Sequence, residues 1–346
     1  MDVRKISNRI KKIPIISNIY SNIYYSARYI LSFIIKVIYY SYIESKKDTI
    51  DFNRRAKVVD LPILICDSLT TDKYKQNTYY GLSKIIKEYA GIEYQKELLA
   101  TIEHGIYLGN GVWDVDLPET AKGIITFSKY REKIISRYTN KKILTIGPYI
   151  HYANLIDNQK LQIIKQKLGK TLLFFPAHSS HWIKAKFDHS ELIRLLVELS
   201  KNFDSTLVCF YWKDYDPRIV SLYLAHGFHC TTAGHMFDWN FLNRLKSIIY
   251  LSDITASNAT GTHVGYCIYM RKPHWLFKQK IDYESSKEGE IHADYLSEEH
   301  RELIRVLENH SSEITDEQYS ICEYLWGFNE IKSKEELKES LYELIK

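Results

Sequence analysis

Short apolar runs alternate with helix patterns through the second half of the chain, and this alternation limits the fold more than any other feature of the sequence. Helix starts are indicated by Asp188, with Glu191 three residues later, and by the pair Asp216-Pro217. Strands that alternate with helices predict a parallel sheet whose loops gather at the carboxyl ends of the strands. The strand candidates are residues 171–175, 206–211, 228–231 and 254–256.

The first half repeats this pattern on a smaller scale, with strand candidates at 58–66, 98–102, 123–127 and 142–146 and helix candidates at 80–89 and 129–138. Beyond Asp294 the pattern is helical, and its start signals are Thr315 with Gln318 and Ser333 with Glu336. We predict an α/β protein with two Rossmann-like doubly wound domains and an N-terminal amphipathic helical segment. The predicted boundaries are 1–55 for that segment, 56–150 and 151–295 for the two domains, and 296–346 for the C-terminal helices.

The N-terminal segment carries the positive charge of the chain. Residues 1–60 contain 12 Lys and Arg against 5 Asp and Glu, whereas the remaining residues contain 35 against 37. Arg28 and Lys36 interrupt the apolar stretch, which falls short of the roughly 20 residues that span a bilayer. We predict a basic helix that lies on the inner-membrane surface through residues 1–43; the alternative is an ordinary helix packed on the domain. Because the rest of the chain is slightly acidic, nucleic-acid binding is not expected.

The cysteines indicate a reducing compartment. They are widely spaced, odd in number and mostly inside apolar runs, which is typical of buried free thiols. No CxxC pair is present, so a structural zinc site is not expected. We predict a cytoplasmic protein that is peripheral on the inner face of the cell membrane. The 28 tyrosines accompany many Ile, Lys and Asn residues, as in proteins of AT-rich genomes, and are not taken as a binding signal. The cysteines are Cys66, Cys209, Cys230, Cys267 and Cys322.

A polar turn at residues 257–263 follows a strand candidate and opens a short helix that stops before Lys272-Pro273. Small hydroxyl residues and Gly261 leave backbone N–H groups uncovered there, and the helix dipole adds positive potential. The turn therefore suits a phosphate or diphosphate group. In the alternative interpretation, its polar residues only cap a helix.

Two further polar turns follow strand candidates, at residues 178–181 and at Gly234-His235. All three turns are expected at one edge of a doubly wound sheet, which is where ligands bind in such sheets. Hydroxyl and N–H donors suit the phosphates of a nucleoside diphosphate, and the turn at 234–235 suits its base. The three turns together predict a nucleotide site.

The polar turn belongs to a longer pattern formed by Ser252-Asp253-Ile254, Ser257-Asn258, Gly261-Thr262-His263, Tyr266 and Lys272-Pro273. With the two α/β halves, it resembles glycosyltransferases of the two-Rossmann-domain (GT-B) architecture, and most of all those of bacterial capsule and lipopolysaccharide synthesis. The resemblance implies an acceptor domain at 56–150, a nucleotide-sugar domain at 151–295 and final helices that cross back to the first domain. It also implies donor contacts at His178, Ser179, Ser180, His235, Ser257, Asn258, Thr260, Gly261, Thr262 and His263.

The chain departs from that family pattern in two places. The two glutamates eight residues apart that mark one large retaining group are absent near Gly261, and the glycine-rich loop of the first domain cannot be placed. We therefore expect an inverting transfer, which needs a base on the acceptor side of the cleft. His104 is the first choice, with Glu103 orienting or replacing it; alternatively, His104 only hydrogen-bonds a turn. Asp114 and Asp116 are second candidates.

Two motifs are similar to known metal-binding motifs, but neither is expected to bind a metal. Asp114-Val115-Asp116 is similar to the Asp-x-Asp motif of single-domain (GT-A) glycosyltransferases, but it does not follow a long buried strand. His178 and His181 have an H-x-x-H spacing without an acidic residue close by. We expect no metal and no cofactor, with the diphosphate held by hydroxyl groups and the helix dipole.

The predicted function is transfer of a sugar from a nucleotide-sugar donor to a surface polysaccharide or a lipid-linked glycan acceptor. A polyol-phosphate transferase and a nucleotide-sugar 2-epimerase of the same architecture are alternatives. From a different class, the alternative is a non-catalytic nucleotide-binding partner in a synthesis complex.

Overall fold

The computed structural model describes residues 72–180, 183–285 and 297–346. The predicted N-terminal segment at 1–55, its membrane contact through residues 1–43, the strand candidate at 58–66 and His181 lie outside the described residues. Within the described ranges, no helix is both long enough and apolar enough to cross a membrane.

The first sheet is small and parallel. Its strands and helices are α1 (Leu82–Tyr89), β1 (Ala100–Ile102), β2 (Gly123–Thr126), α2 (Lys129–Ile135) and β3 (Lys142–Thr145). The strands pair in the order β1-β2-β3, with Ile102 beside Ile125. All residues of β1 and β2 are buried, as expected for parallel strands covered on both faces.

The second sheet has five parallel strands. The strands and helices of this part are α3 (Asn158–Leu168), β4 (Thr171–Phe175), β5 (Ile183–Lys186), α4 (His189–Ser200), β6 (Ser205–Cys209), α5 (Pro217–Ala225), β7 (His229–Thr231), α6 (Phe241–Leu251), β8 (Ile254–Ser257), α7 (Thr262–Tyr269), β9 (His274–Leu276) and β10 (Asp282–Ser285). The order in the sheet is β7-β6-β4-β8-β9, and β5 and β10 form a separate antiparallel pair. After β4 the chain therefore adds β6 and β7 on one side of it, and then adds β8 and β9 on the other side. The switch point between β4 and β8 is where doubly wound sheets bind ligands.

Three helices follow the second sheet, α8 (Glu298–Leu307), α9 (Asp316–Trp326) and α10 (Lys334–Leu341). Helix α9 packs against both α2 and α7. Ser128, just before α2, donates a hydrogen bond through Oγ to the carbonyl of Leu325 at 2.7 Å. The ring of Trp326 occupies the space that a side chain on Gly265 would fill, so the glycine allows α7 and α9 to approach closely.

One apolar core runs through both sheets. It includes Ile102 and Ile125 of the first sheet, Leu173 and Leu207 of the second, and Trp326 of α9. A second core covers the other face of the five-stranded sheet and is built from α4, α5 and the strands that they cover. Because the first core is continuous, α7 and α9 fix the first sheet against the inner face of the second.

Most of the predicted strands and helices are confirmed, and side-chain caps explain where the helices begin. Asp188 caps α4, and Asp216 caps α5 with Pro217 in its first turn. The predicted capping boxes at Thr315 and Ser333 are both formed. The four cysteines within the described ranges are buried and free, as predicted.

The structure also departs from the predicted pattern. The apolar run of residues 237–251 suggests a helix from residue 237, but α6 begins at Phe241, because the preceding residues form a turn in which Asp238 makes a buried ion pair with Arg244 at 2.6 Å. Helix α3 and strands β5, β9 and β10 are absent from the prediction. Only Leu161 and Leu168 of α3 are buried, so that its apolar pattern is weak.

Candidate active site

A cavity of about 590 Å³ is lined by residues that follow strands of both sheets. The first sheet contributes the residues after β1, and the second contributes the residues after β4, β6 and β7 together with the start of α7. The cavity thus lies at the switch point between β4 and β8. Its wall is mostly apolar with a few polar groups, which is the usual character of a small-molecule site.

Seven of the predicted site residues line this cavity. Two come from the predicted catalytic set and five from the predicted donor set. They are His104, Asp114, His178, Ser179, Ser180, Thr262 and His263.

His104 stands in the cavity wall beside a buried carboxylate. Its ring is about one third exposed, and its Nδ1 lies 4.0 Å from Oδ1 of the fully buried Asp116. This separation is too long for a direct hydrogen bond. Neither carboxylate oxygen of Asp116 has a hydrogen-bond partner among the described residues. Burial and the nearby Glu103 raise the pKa of Asp116 to about 8, against the opposing effect of Arg131. Asp116 therefore holds its proton at neutral pH far more readily than an exposed aspartate does.

The geometry does not support Glu103 as the partner or substitute of His104. Its buried carboxylate accepts hydrogen bonds from Nε and Nη2 of Arg131, the shorter at 2.6 Å. Thr126 donates a further hydrogen bond at 2.5 Å. Arg131 lies on α2 and forms a buried ion pair with Glu103, so the Glu103 carboxylate is already bound. The carboxylate beside His104 is instead that of Asp116.

Thr262 and His263 begin α7 and form the donor-side wall. Thr262 Oγ1 accepts a hydrogen bond from the backbone N–H of Ile106 at 3.1 Å, so it joins the two sides of the cavity. The His263 ring packs on Phe175 with centroids 4.7 Å apart, and no described residue hydrogen-bonds its buried Nε2. Burial, helped by two neighbouring imidazoles, holds the pKa of His263 well below its ordinary value. A neutral His263 offers a ligand a hydrogen bond rather than a positive charge.

The turn after β4 supplies the other three donor candidates. The hydroxyls of Ser179 and Ser180 each accept a hydrogen bond from a backbone N–H of β5 at 3.1 Å, so they shape the turn. His178 is exposed, and its ring lies against Tyr211 with centroids 4.6 Å apart. His178 of this turn and Tyr211, which follows β6, therefore form an aromatic surface at the cavity.

Ser257 and Asn258 do not line the cavity. Ser257 ends β8 fully buried, and its hydroxyl bonds the Ala259 carbonyl at 2.8 Å and Nε2 of His274 at 3.0 Å. Asn258 accepts a hydrogen bond from the Ala177 N–H at 2.6 Å. Both side chains fix the carboxyl ends of neighbouring strands, and neither caps α7, whose N-cap Gly261 is joined by no side-chain cap hydrogen bond within the described ranges.

Thr260, Gly261 and His235 are also placed away from the cavity wall. Thr260 Oγ1 lies 2.8 Å from Nε2 of His300 on α8. Gly261 is the N-cap residue of α7, and a side chain there would meet the His263 ring at 3.1 Å. His235 is buried, with its ring centroid 4.0 Å from that of Trp212. The polar turn at 257–263 thus supports the fold with most of its side chains.

Two tyrosines that the sequence analysis sets aside line the cavity. The hydroxyls of Tyr80 and Tyr211 are 3.0 Å apart, and burial raises the pKa of both. Tyr80 has a left-handed backbone with φ 57°, which is uncommon for a residue other than glycine. Its N–H donates to the carbonyl of Met236, which holds this conformation. Strained residues of this kind cluster at functional sites, and the sequence carries no signal for them.

No group of three or more His, Cys, Asp or Glu residues in the described part of the chain is arranged to hold a metal ion. In the Asp-x-Asp motif, Asp114 is exposed at the cavity whereas Asp116 is buried behind it. The two carboxylates therefore have different surroundings and do not form a pair.

A second cavity of about 900 Å³ continues from the first and shares Ser179, Ser180 and Tyr211 with it. Its charges are balanced, because three lysines and three acidic residues line it, and one pair of them, Lys186 and Glu284, is joined at 2.6 Å. No excess of positive charge marks this cavity as an anion site.

No protein-family model and no curated protein matches this chain. Among solved structures, a sucrose-phosphate synthase from Thermosynechococcus elongatus is 12% identical, with a TM-score of 0.30. The match covers 65% of this chain and 58% of that one, so the chain spans less than two thirds of its length. A structural similarity this weak assigns neither a family nor a function to the chain.

Proposed function

We propose that this protein is an inverting GT-B-type glycosyltransferase that moves a sugar from a nucleotide-sugar donor to a surface-polysaccharide or lipid-linked glycan acceptor. The proposal depends on one observation, the cavity at the switch point. There His104, on the loop after β1, lines the same cavity as His178, Thr262 and His263 of the second sheet, and Asp116 is buried behind it. A donor on the second sheet and an acceptor hydroxyl on the first would meet between them.

On the donor side, the diphosphate would lie at the start of α7. The first N–H groups of a helix have no intrahelical acceptor, and the helix dipole favours negative charge there. Thr262 and the neutral His263 add polar groups at this point. The face of His178 on Tyr211 suits the flat base of the nucleotide. The interaction needs no divalent metal in this proposal.

On the acceptor side, His104 would act as the base. The acceptor oxygen forms a bond to the anomeric carbon while the bond from that carbon to the diphosphate oxygen breaks, and the acceptor proton passes to His104. The nucleoside diphosphate leaves with the negative charge. His104 touches the reacting hydroxyl, whereas Asp116 is a buried positioning residue that holds its own proton at neutral pH, with Oδ1 4.0 Å from Nδ1 of His104.

The test is a thermal-shift series of the full-length chain with UDP, GDP, CDP, CMP and ADP. A nucleotide at 100 times its Kd adds about 2.7 kcal/mol of stability. We expect one nucleotide to raise Tm and His178→Ala to abolish the rise. His226→Ala is the matched control, because both His178 and His226 are exposed histidines whose Nδ1 lies within hydrogen-bond distance of a backbone carbonyl.

The matching nucleotide sugar then gives the transfer assay. Nucleotide release in the presence of acceptor should fall by about 10²-fold or more in His104→Ala, the usual contribution of a general base. No Tm shift with any nucleotide would overturn the proposal. A Tm shift unchanged by His178→Ala would show that the nucleotide binds at another site. Full activity in His104→Ala would show that His104 is not the base.

A further inference from the structure

Trp113 is a large apolar side chain left in solvent at the cavity. Trp113 is 42% exposed and lines the cavity together with Asp114, which is also exposed. We propose that Trp113 and Asp114 form a sugar-binding platform that receives a ring of the glycan acceptor beside His104. This inference rests on the proposed function and adds the subsite that would hold the acceptor.

The buried Arg131 holds the loop that carries Trp113 through hydrogen bonds to the backbone of that loop. Besides binding Glu103, its guanidinium donates hydrogen bonds to the carbonyls of Gly109 at 3.2 Å and Gly111 at 3.0 Å. It also lies 5.5 Å from the centroid of the Tyr107 ring. One fully buried cation therefore fixes three points of an exposed loop.

The aromatic rings of the loop pack on each other and on its glycines. The centroids of Tyr107 and Trp113 are 5.6 Å apart at a tilt of 57°. A side chain on Gly109 would meet the Tyr107 ring at 3.0 Å, and one on Gly111 would meet it at 3.3 Å. The two glycines thus let the backbone close around Tyr107, which supports Trp113 from one side.

The residues after Trp113 are anchored as well. Gln76 donates a hydrogen bond to the Val115 carbonyl at 2.5 Å, and Thr101 donates one to the Asp116 carbonyl at 2.6 Å. The short 3-10 helix Asp114–Asp116, which follows Trp113, is therefore tied to β1 and to the segment before α1. A ring held in place before a ligand arrives loses little conformational entropy on binding, which favours affinity.

The chemistry of the platform matches a sugar. One face of a pyranose ring carries C–H groups and packs on an indole through dispersion, whereas the hydroxyl groups at its edge need polar partners. Trp113 supplies the flat apolar surface and Asp114 a carboxylate acceptor beside it. Because His104 lines the same cavity, an acceptor ring on the platform would present its hydroxyl groups toward the base.

The experiment measures glycan binding by the full-length protein on a printed array of bacterial capsule and lipopolysaccharide glycans, with and without saturating nucleotide. We expect binding to at least one glycan, a loss of tenfold or more in Trp113→Ala, and a smaller loss in Trp113→Phe, which keeps an aromatic face. Tyr342→Ala is the matched control, because Tyr342 is an aromatic residue 77% exposed on another part of the chain. The nucleotide-induced Tm shift is measured on every variant.

The outcomes separate this inference from the proposed function. Glycan binding that depends on Trp113, without a Tm shift by any nucleotide, keeps the platform and overturns the transferase. A nucleotide shift in a protein that binds no glycan on the array overturns the platform alone. Loss of the nucleotide shift in both Trp113 variants, or glycan binding unchanged in Trp113→Ala, also overturns it.

Discussion

Two loops at the cavity differ in what their side chains do. The turn at 257–263 is dense in polar residues, yet Ser257, Asn258 and Thr260 bond to neighbouring strands and helices. The loop after β1 is poorer in small hydroxyl residues, although the catalytic candidates His104 and Asp114 come from it. It places His104, Trp113 and Asp114 at the cavity.

The difference lies in where the supporting groups come from. In the polar turn the support is local, so the turn uses its own side chains to join β8, β9 and α8. In the loop after β1 the support comes from outside, through Arg131, Gln76 and Thr101. A loop that other elements hold is able to leave its own side chains for a ligand, and this is the arrangement expected of preorganised sites.

The largest expected effect tests that outside support. Glu103→Gln leaves the Arg131 guanidinium buried without its counter-charge, which typically costs about 3–5 kcal/mol. Urea unfolding of the variant measures this loss. Glu132→Gln is the control, since the exposed pair of Lys129 and Glu132 should contribute no more than about 1 kcal/mol. A loss of the same size in both variants would show that the buried pair does not support the loop.

Single residues show which features of the structure can be predicted from the sequence. The strands and their caps are predictable because buried apolar runs and caps such as Asp188 and Asp216 are local signals. The environment of Ser257 is not predictable, because its partner His274 lies on β9, a three-residue strand without a clear apolar pattern. The burial of Asp116 is equally unpredictable from the sequence, since it depends on how the loop after β1 folds over the first sheet.

A smaller effect tests the polar turn. Ser257→Ala leaves Nε2 of the buried His274 without the hydroxyl, and an unsatisfied buried polar group costs about 1–3 kcal/mol. We expect lower stability in urea unfolding but the same nucleotide-induced Tm shift as in the wild type. Ser221→Ala, at an exposed helix position, should change stability by less than about 0.5 kcal/mol. Should Ser257→Ala keep its stability and lose the nucleotide shift, the polar turn would be a ligand site after all.

The most specific effect concerns the pH dependence of stability through Asp116. Its pKa is raised from 3.8 to about 8 in the folded state, so between these values the unfolded chain has released the proton while the folded protein still holds it. Stability from this group is therefore present at low pH and is lost as pH rises, by at most about 1.4 kcal/mol per pH unit.

Asp116→Asn removes this titration but keeps the shape of the side chain. The difference in Tm between variant and wild type should therefore grow in favour of the variant from pH 5 to pH 8. Histidines with lowered pKa, such as His263 and His274, titrate in both proteins and cancel in the difference. A constant difference across this range would mean that Asp116 titrates normally. It could then no longer be the proton-holding neighbour of His104.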